Sequence, residues 1–392
     1  MPASVVDIDI ADGIPDAADL EPYSQAFVVL RYRGVPFGHT WLPVTSGYLP
    51  ASAIWSLVTG RLLPEFSRRW TEANLGTTPA TAPPPSATIA ICTRDRPQDL
   101  ARALTAVTRA AAGKHPILVV DNAPSTNASR DVVAAHIGVE YILEPRPGLN
   151  AARNRAMRTA RTDVVAFTDD DAAPEPGWIE ALLRNFDHRL VLGVTGLTLP
   201  LELRSDAQEW FERYAPFGRG YFRRVFDASE TSPHAAGAIG AGANMAIRRD
   251  VLTLTGPFDE SLDAGTPTRS GGDHEMFARI LARGYRMVYE PAAVSWHRHR
   301  TSWDELRNTI EGYGTGVYAL WTSKLLRESD FGVFKEAARW FVTHQLPSLV
   351  RAATRQTGAA PIDLVLAELG GCVKGPFAWL RSRRTRPGVA TP

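Results

Sequence analysis

Short apolar runs and helical segments alternate along the middle of the chain. The apolar runs are rich in β-branched residues, and the segments between them place apolar residues three and four positions apart, as one face of a helix requires. Parallel strands need crossover helices of this kind. The pattern therefore predicts an α/β core with a mostly parallel sheet. The predicted strands are 88–92, 117–120, 139–143, 164–168, 190–199, 244–248, 287–289 and 293–299.

The regions on either side of this core have different patterns. The acidic segment up to Leu20 is expected to be loose, 26–45 to form a hairpin and 53–70 a helix. The stretch 77–86 (TTPATAPPPS) is a linker by composition. From Ser302 onward only helical patterns remain. We therefore predict a small N-terminal α+β segment (1–80), a proline-rich linker (81–86), a core domain (87–300) and a helical C-terminal extension (301–392).

Composition places the chain among ordinary soluble proteins. Of its 392 residues 44% are hydrophobic and 22% charged, and 43 basic residues face 42 acidic ones. With a formal charge of only +1 the protein has no overall positive potential that would attract nucleic acid. No nucleic-acid partner is therefore expected. The only cysteines are Cys92 and Cys372, too few for a disulfide framework. With no secretory signal and no long apolar span, we expect a cytoplasmic protein.

Polar side chains follow three of the predicted parallel strands at the point where each strand ends. Thr93 and Asp95 follow the first, Asp121 the second, and the triplet 169–171 (DDD) the fourth. Because ligands bind at the carboxyl ends of strands in open α/β sheets, we expect these residues to converge at one edge. Asp169 and Asp171 are oxygen ligands suited to Mg²⁺ or Mn²⁺. The alternative is that these carboxylates cap helices or lie solvated in loops.

Four further residues are candidates on position alone. Arg153 lies on a basic helix that follows a loop, where it can meet a phosphate. Asp273 shares the inward face of a helix (273–283), and either borders a cleft or caps that helix. His297 and His299 alternate along a strand and so point to one face, as ligands for a divalent ion or as structural side chains.

Taken together, several short segments resemble family 2 glycosyltransferases. These are inverting enzymes with the GT-A fold, which is Rossmann-like with a mostly parallel sheet and flanking helices, and they use nucleotide-sugar donors. The resemblance spans about 88–300. The matching segments are TIAICTRD (88–95), LVVDN (118–122), PGLNAARN (147–154), FTDDD (167–171), PGW (176–178), GAGANMA (240–246) and WHRH (296–299).

The resemblance implies a role for each candidate residue. The Asp-x-Asp element made by Asp169 and Asp171 would hold the donor ribose and a divalent cation, Mn²⁺ or Mg²⁺, with Asp170 beside them and His297 as a further ligand. Asp121 would contact the donor base. Thr93, Asp95 and Arg153 would line or border the nucleoside pocket, and Asp273 would be the catalytic base.

The segment around Asp273 departs from the family pattern. The family tends to place a Glu-Asp pair there, whereas this chain has Gly272 before Asp273 and Glu275 two residues after it. The departure puts contacts of the missing Glu with the acceptor in doubt. Glu275 is our second choice for the base.

The expected reaction is metal-dependent transfer of a sugar from a nucleoside-diphosphate sugar to an acceptor hydroxyl with inversion. Two other functions fit a nucleotide-binding α/β sheet: a sugar-phosphate nucleotidyltransferase, and a non-catalytic nucleotide-sugar-binding module. The acceptor is a small molecule, a glycan or a lipid-linked compound. Apolar patches beside arginines in the C-terminal extension are typical of peripheral membrane contact, homodimer contact or packing on the core domain. The glycine-rich loop 265–272 is either a lid or a plain connection.

Overall fold

The N-terminal unit is a small sheet covered by two helices. A computed structural model of the protein describes residues 2–76 and 83–385. In the N-terminal unit, one strand pairs in parallel with the first strand of a hairpin, and the helices bury Phe37, Leu49 and Ile54 against the sheet. The elements are β1 (Ala3–Asp9), β2 (Gln25–Tyr32), β3 (Val35–Pro43), α1 (Ala51–Thr59) and α2 (Leu63–Asn74).

Two expectations for this unit were wrong. The segment before Leu20 is not loose throughout, because β1 is hydrogen-bonded along β2. Its aspartates are paired: Asp7 accepts from Arg31 at 2.7 Å, and Asp9 accepts from the backbone N–H of Arg33 at 3.1 Å. The single helix expected over 53–70 is two helices, with a break at 60–62 that begins with Gly60.

The N-terminal unit is tied to the core domain by a buried arginine. Besides Asp7, the Arg31 guanidinium contacts the Glu175 carboxylate at 2.9 Å and 2.5 Å. Glu175 also accepts from the indole N–H of Trp296 at 2.6 Å. The Arg31 side chain is 8% exposed, so it depends on these carboxylates to balance its charge.

The core domain contains a mixed sheet with helices on both faces. Its strands run in the order β10, β12, β9, β11, β7, β4, β5, β6, and β8 pairs with β12 outside this path. The strands are β4 (Ala87–Thr93), β5 (Ile117–Asn122), β6 (Val139–Glu144), β7 (Val164–Asp169), β8 (Ala172–Pro174), β9 (Val191–Pro200), β10 (Arg224–Phe226), β11 (Asn244–Arg248) and β12 (Arg286–His297).

The sheet is parallel at one end and mixed at the other. β4 pairs in parallel with β5 and β7, and β5 with β6, as the alternating pattern predicted. β11 lies antiparallel between β7 and β9. The two last strands expected over 287–289 and 293–299 are one strand, β12, whose register shifts between Glu290 and Val294. Pro291 lies in this shift, where its missing N–H does not break a ladder.

The helices of the core domain bury their apolar faces on both sides of the sheet. The irregular region predicted over 214–242 contains only β10 and a short 3-10 helix, Pro233–Ala238. The helices are α3 (Pro97–Ala111), α4 (Ala128–Ala134), α5 (Leu149–Thr159), α6 (Trp178–Leu183), α7 (Asp206–Tyr214), α8 (Val251–Leu254) and α9 (Gly272–Ala282).

The C-terminal extension is helical and packs on the core domain. Its longest helices cross at backbone distance because glycines lie at the contact: a Cβ on Gly314 would meet the Glu368 carbonyl oxygen at 2.3 Å, and one on Gly371 the Glu311 carbonyl oxygen at 2.1 Å. Within the described residues, no helix combines the length and apolar composition needed to cross a bilayer. The helices are α10 (Trp303–Glu328), α11 (Gly332–Trp340), α12 (Leu346–Ala353) and α13 (Ile362–Thr385), with a π-helical turn, Phe341–Gln345, between α11 and α12.

The predicted linker lies partly outside the described residues. Of 77–86, the structure describes only 83–86, which lead into β4.

Replacing Glu175 should loosen the contact between the N-terminal unit and the core domain. In Glu175→Ala the buried Arg31 keeps Asp7 but loses its second carboxylate, so we expect the free energy of unfolding to fall by about 2 kcal/mol. Chemical denaturation measures this. The exposed Glu180, five residues along, gives the matched control Glu180→Ala, with an expected change within about 0.5 kcal/mol. Equal effects of the two substitutions would contradict this role of Arg31.

Candidate active site

A cavity of about 380 Å³ opens at the carboxyl ends of β4 and β7. We call it the first cavity. Thr93 and the three aspartates of the 169–171 triplet line it. His297, Arg300 and Tyr313 line it as well, and so do Ala264 and Gly265 at the start of the glycine-rich loop.

The register of the sheet brings the polar strand ends together. Cys92 of β4 lies opposite Asp169 of β7, and Thr93 lies opposite Asp121 of β5. On the far side of the triplet, β8 pairs with the end of β12, so that His297 lies opposite Ala172. These pairings bring residues more than 100 positions apart in the sequence to one sheet edge.

Asp169, Asp171 and His297 form a group suited to a divalent cation. One ligand atom from each lies within 4.8 Å of the others. Two carboxylate oxygens and one imidazole nitrogen form a donor set that Mn²⁺ or Mg²⁺ accepts. Although burial raises the pKa of Asp171, His297, Arg300 and Arg96 hold it well below its ordinary value. Asp171 is therefore an anion at neutral pH.

Two arginines that contact the triplet were not among the predicted site residues. Arg96 contacts Asp170 at 3.1 Å and Asp171 at 3.0 Å, and Arg300 contacts Asp171 at 3.4 Å. The Thr93 hydroxyl donates to Asp170 at 2.7 Å. Burial and the neighbouring Asp171 raise the pKa of Asp170 to about 6. Sequence offered only the weak signal that Arg96 precedes a helix-starting proline and Arg300 follows a histidine pair.

A buried array lies behind His297. Its Nδ1 is 3.1 Å from Nδ1 of His299, whose Nε2 is 3.1 Å from a carboxylate oxygen of Glu212 on α7. Burial raises the pKa of Glu212 to about 8 and lowers that of His299 well below its ordinary value. The two histidines therefore share one face, as predicted, but only His297 contacts Asp171, at 3.1 Å. Nothing in the sequence marked Glu212 as their partner.

A second cavity, of about 350 Å³, adjoins the first. Phe217 and Tyr313 line both of them. Asp273, in the first turn of α9, faces the second cavity, as do Trp340 and His344 of the C-terminal extension.

The Asp273 carboxylate is held by backbone N–H groups. Oδ2 accepts from Gly242 at 2.7 Å and Oδ1 from His274 at 2.8 Å. Burial raises the pKa of Asp273, but the nearby charges of His274 and Arg153 and the two N–H groups outweigh burial and lower it overall. A Cβ at Gly242 would lie 2.9 Å from Oδ2, so glycine permits this approach. Asp273 thus belongs to the helix terminus and also faces a cavity.

Three predicted site residues line neither cavity. Arg153 is buried and donates to Asp263 at 2.6 Å, behind the site, so its charge is already balanced by a carboxylate that sequence reasoning missed. Asp95 is exposed and accepts from the backbone and hydroxyl of Ser125, at 2.8 Å and 2.9 Å. Asp121 is buried and accepts from the Tyr141 hydroxyl at 3.1 Å, while its Oδ1 has no hydrogen-bond partner among the described residues.

The side chain of Glu275, our second choice for the base, points away from both cavities. Glu275 is buried and accepts two hydrogen bonds from Arg279, at 2.9 Å and 2.7 Å. It lines neither the first nor the second cavity. Of the two acidic residues in the first turn of α9, only Asp273 faces the site.

The asparagines of the 147–154 segment support the site from behind. Asn150 donates to the Asp259 carbonyl oxygen at 2.8 Å, and Asn154 to the Phe258 carbonyl oxygen at 2.9 Å. These bonds fix the loop that carries Asp263. A larger cavity of about 750 Å³ lies between Arg33, Pro83–Pro85 and α6, and contains no predicted site residue.

Comparisons with known proteins identify the fold. The mannosyltransferase PcManGT from Pyrobaculum calidifontis, solved in complex with GDP-Man and Mn²⁺, aligns over 83% of this chain and 97% of its own with a TM-score of 0.51 at 17% identity. That similarity shows the GT-A fold predicted from the sequence. The chain is also similar to the pre-mycofactocin glycosyltransferase of Mycobacterium tuberculosis, at 29% identity over 57% of this chain, but spans only 44% of that relative.

Two further matches establish the family. The model described as Glycosyl transferase family 2 matches residues 88–252. An uncharacterized glycosyltransferase of Mycobacterium bovis is 35% identical over 185 residues, which cover 47% of this chain and 76% of that relative. The protein belongs to glycosyl transferase family 2, as the motifs indicated.

Replacing Asp263 should destabilise the fold, since its carboxylate pairs with the buried Arg153. Because Asp169 and Asp273 lie near enough to keep part of the charge balanced, we expect Asp263→Asn to lower the free energy of unfolding by about 2 kcal/mol. Chemical denaturation measures the loss. Asp187→Asn, at an exposed position, is the matched control and should change stability by less than about 0.5 kcal/mol. An unchanged stability of Asp263→Asn would show that the pair is dispensable.

Proposed function

We propose that the protein transfers a sugar from a nucleoside-diphosphate sugar to an acceptor hydroxyl with inversion at the anomeric carbon. The observation that carries the proposal is the arrangement of two adjoining cavities. One contains the acidic and cationic groups that suit a diphosphate and a cation, and the other contains Asp273. A donor in the first cavity would place its sugar near the wall made by Phe217 and Tyr313, within reach of an acceptor in the second.

Asp169, Asp171 and His297 are the residues we propose to hold a divalent cation, Mn²⁺ or Mg²⁺. Such an ion, when bound, neutralises charge on the leaving diphosphate. Asp170 would remain hydrogen-bonded to Thr93 and contribute to the donor side of the cavity. Arg96 and Arg300, which line the same cavity, add positive charge that can stabilise the departing phosphates.

Asp273 is the proposed general base. Because its pKa is lowered, the carboxylate is ionised at neutral pH and able to accept a proton. The acceptor oxygen forms a bond to the anomeric carbon while the bond from that carbon to the phosphate oxygen breaks, and the bonding electron pair leaves with the diphosphate. The acceptor proton passes to Asp273. One such displacement inverts the anomeric centre and needs no covalent intermediate.

The donor side of the proposal extends to three residues outside the cavities. The Oδ1 of Asp121, which has no hydrogen-bond partner among the described residues, would accept from an N–H of the donor base. Asp95 would shape the nucleoside pocket indirectly, by joining the loop after β4 to the loop after β5 through Ser125. Arg153 would act on the site through its charge near Asp169 and Asp273 rather than by direct contact with a phosphate.

Removing the proposed base should strongly reduce turnover and leave donor binding unchanged. We expect Asp273→Asn to lose at least about two decades of kcat, as for a removed general base. A thermal-shift screen of UDP-, GDP- and dTDP-sugars with and without Mn²⁺ identifies the donor, and a donor at about 100 times its Kd should stabilise wild type and Asp273→Asn alike by about 2.7 kcal/mol.

The comparison variant is Glu275→Gln, which removes a charge from the same helical turn. It should keep turnover per folded molecule. Loss of turnover in Glu275→Gln together with normal turnover in Asp273→Asn would move the base to Glu275.

We also propose that the C-terminal extension contacts an anionic membrane surface. Ile362, Leu366, Val373, Phe377 and Leu380 are all exposed and, at 3.6 residues per turn, lie within roughly 60° of one another around α13. The segment 331–385 carries eight basic against three acidic residues in a chain of net charge +1. An apolar face bordered by cations fits an anionic lipid surface. The protein would then act at the cytoplasmic side, which its free cysteines suit.

Flotation with vesicles tests this contact. Wild type should float with vesicles containing phosphatidylglycerol, more weakly with phosphatidylcholine alone, and Phe377→Glu should lose flotation because it places a charge in the apolar face. Ile137→Glu is the matched control, since Ile137 is also exposed but lies in the core domain. Failure of the wild type to float would contradict membrane contact. A dimer in sedimentation that Phe377→Glu dissociates would also contradict it, and would show that the apolar face binds a second copy of the chain.

A further inference from the structure

The second cavity has an aromatic wall that the core domain alone does not provide. Its lining includes Tyr214 from the end of α7, Phe217 from the irregular region, and Tyr313, Trp340 and His344 from the C-terminal extension. The sequence indicated no part for the extension in the active site, yet it supplies part of the wall around Asp273.

Contacts between the rings fix this wall. The rings of Trp340 and His344 are stacked, with centroids 6.0 Å apart and planes 7° apart, and the Tyr214 ring lies 6.4 Å from that of His344. Phe217 and Tyr313 lie 6.5 Å apart. Trp321 packs edge-on against Trp340 from behind, at 5.7 Å. Flat faces held in this way suit an aromatic ligand, because offset or edge-on ring contacts add to the energy of burial.

Two charged groups that line the cavity, Glu368 and Arg219, are already hydrogen-bonded within the protein. Glu368 accepts from the Tyr214 hydroxyl at 2.5 Å and from Gln345 at 3.3 Å. Arg219 donates to the carbonyl oxygens of Gly237 at 2.9 Å and Pro216 at 2.6 Å. A free sugar needs several hydrogen-bonding partners to replace water, and groups engaged in this way serve it poorly.

We infer that the second cavity binds the acceptor and that the acceptor is an aromatic alcohol or phenol. The inference rests on the proposed function, in which Asp273 takes the proton of the acceptor hydroxyl. The ring of the acceptor packs against Trp340 and Tyr214, and its hydroxyl points to Asp273 near the wall shared with the first cavity. A volume of about 350 Å³ is within the range of small-molecule sites.

Equilibrium dialysis of the full-length protein with 4-methylumbelliferone, a fluorescent phenol, tests this inference. Wild type should retain the probe, and saturating UDP should not displace it. Trp340→Ala removes part of the wall and Val317→Trp fills the cavity, so each should weaken retention at least about tenfold. Phe341→Ala, at the exposed neighbour of Trp340, should bind the probe as wild type does. Methyl β-glucoside, a non-aromatic probe with several hydroxyls, should not be retained.

Several outcomes would overturn the inference. Equal retention by wild type, Trp340→Ala and Val317→Trp would place the probe elsewhere, displacement by UDP would place it in the first cavity, and tighter binding of methyl β-glucoside would indicate a glycan acceptor. The thermal shift by nucleotide and Mn²⁺ reports the donor site separately, so a variant that keeps this shift is folded. If nucleotide and Mn²⁺ produced no thermal shift in the wild type, the proposed function itself would be refuted.

Discussion

The carboxylates that follow β7 can lie side by side only because cations from distant parts of the chain contact them. Asp171 has His297, Arg96 and Arg300 within 3.4 Å, and Asp170 shares Arg96. Like charges at such a distance from one another, removed from water, would otherwise raise the pKa of each group until it became neutral. The site is thus a balance of charges at a sheet edge, held ready for a diphosphate and a cation.

The same balance organises the layer behind the site. Arg153 is buried between Asp263 and the carboxylates of Asp169 and Asp273, so one guanidinium serves the proposed cation site and the proposed base together. Gly242 allows this close approach, and the asparagines of α5 fix the loop that carries Asp263. Arg153, which was predicted to meet a phosphate, is therefore paired with a carboxylate inside the protein. Burial decides between these roles, since a buried charge needs a permanent partner.

The C-terminal extension links the chemistry to the surface of the protein. One side of α13 packs on α10 through glycines, while the apolar residues of its other side are exposed. Helix α10 supplies Tyr313 to both cavities, and the turn after α11 supplies His344 to the second. The proposed contact of α13 with a membrane would bring the second cavity close to the lipid bilayer, where apolar acceptors concentrate.

The sequence by itself determined the core domain. Period-2 and period-3.6 patterns gave its strands and helices, and polar residues at the ends of three parallel strands marked the edge where Thr93 and Asp169–Asp171 lie. The prediction was wrong at β1, where the acidic segment was expected to be loose. The partners of its aspartates, Arg31 and Arg33, lie more than 20 positions away in the sequence. The sequence ranked Asp273 above Glu275 by family resemblance, and the structure shows that only Asp273 lines a cavity.

Only the tertiary structure decided which charges meet. It paired Arg153 with Asp263, placed Glu212 behind the two histidines, and built the second cavity from segments far apart in the sequence. Local pattern fixes backbone geometry because hydrogen bonding and apolar spacing are properties of neighbouring residues. Charge balance and cavity walls depend instead on contacts across the whole chain, which no local pattern contains.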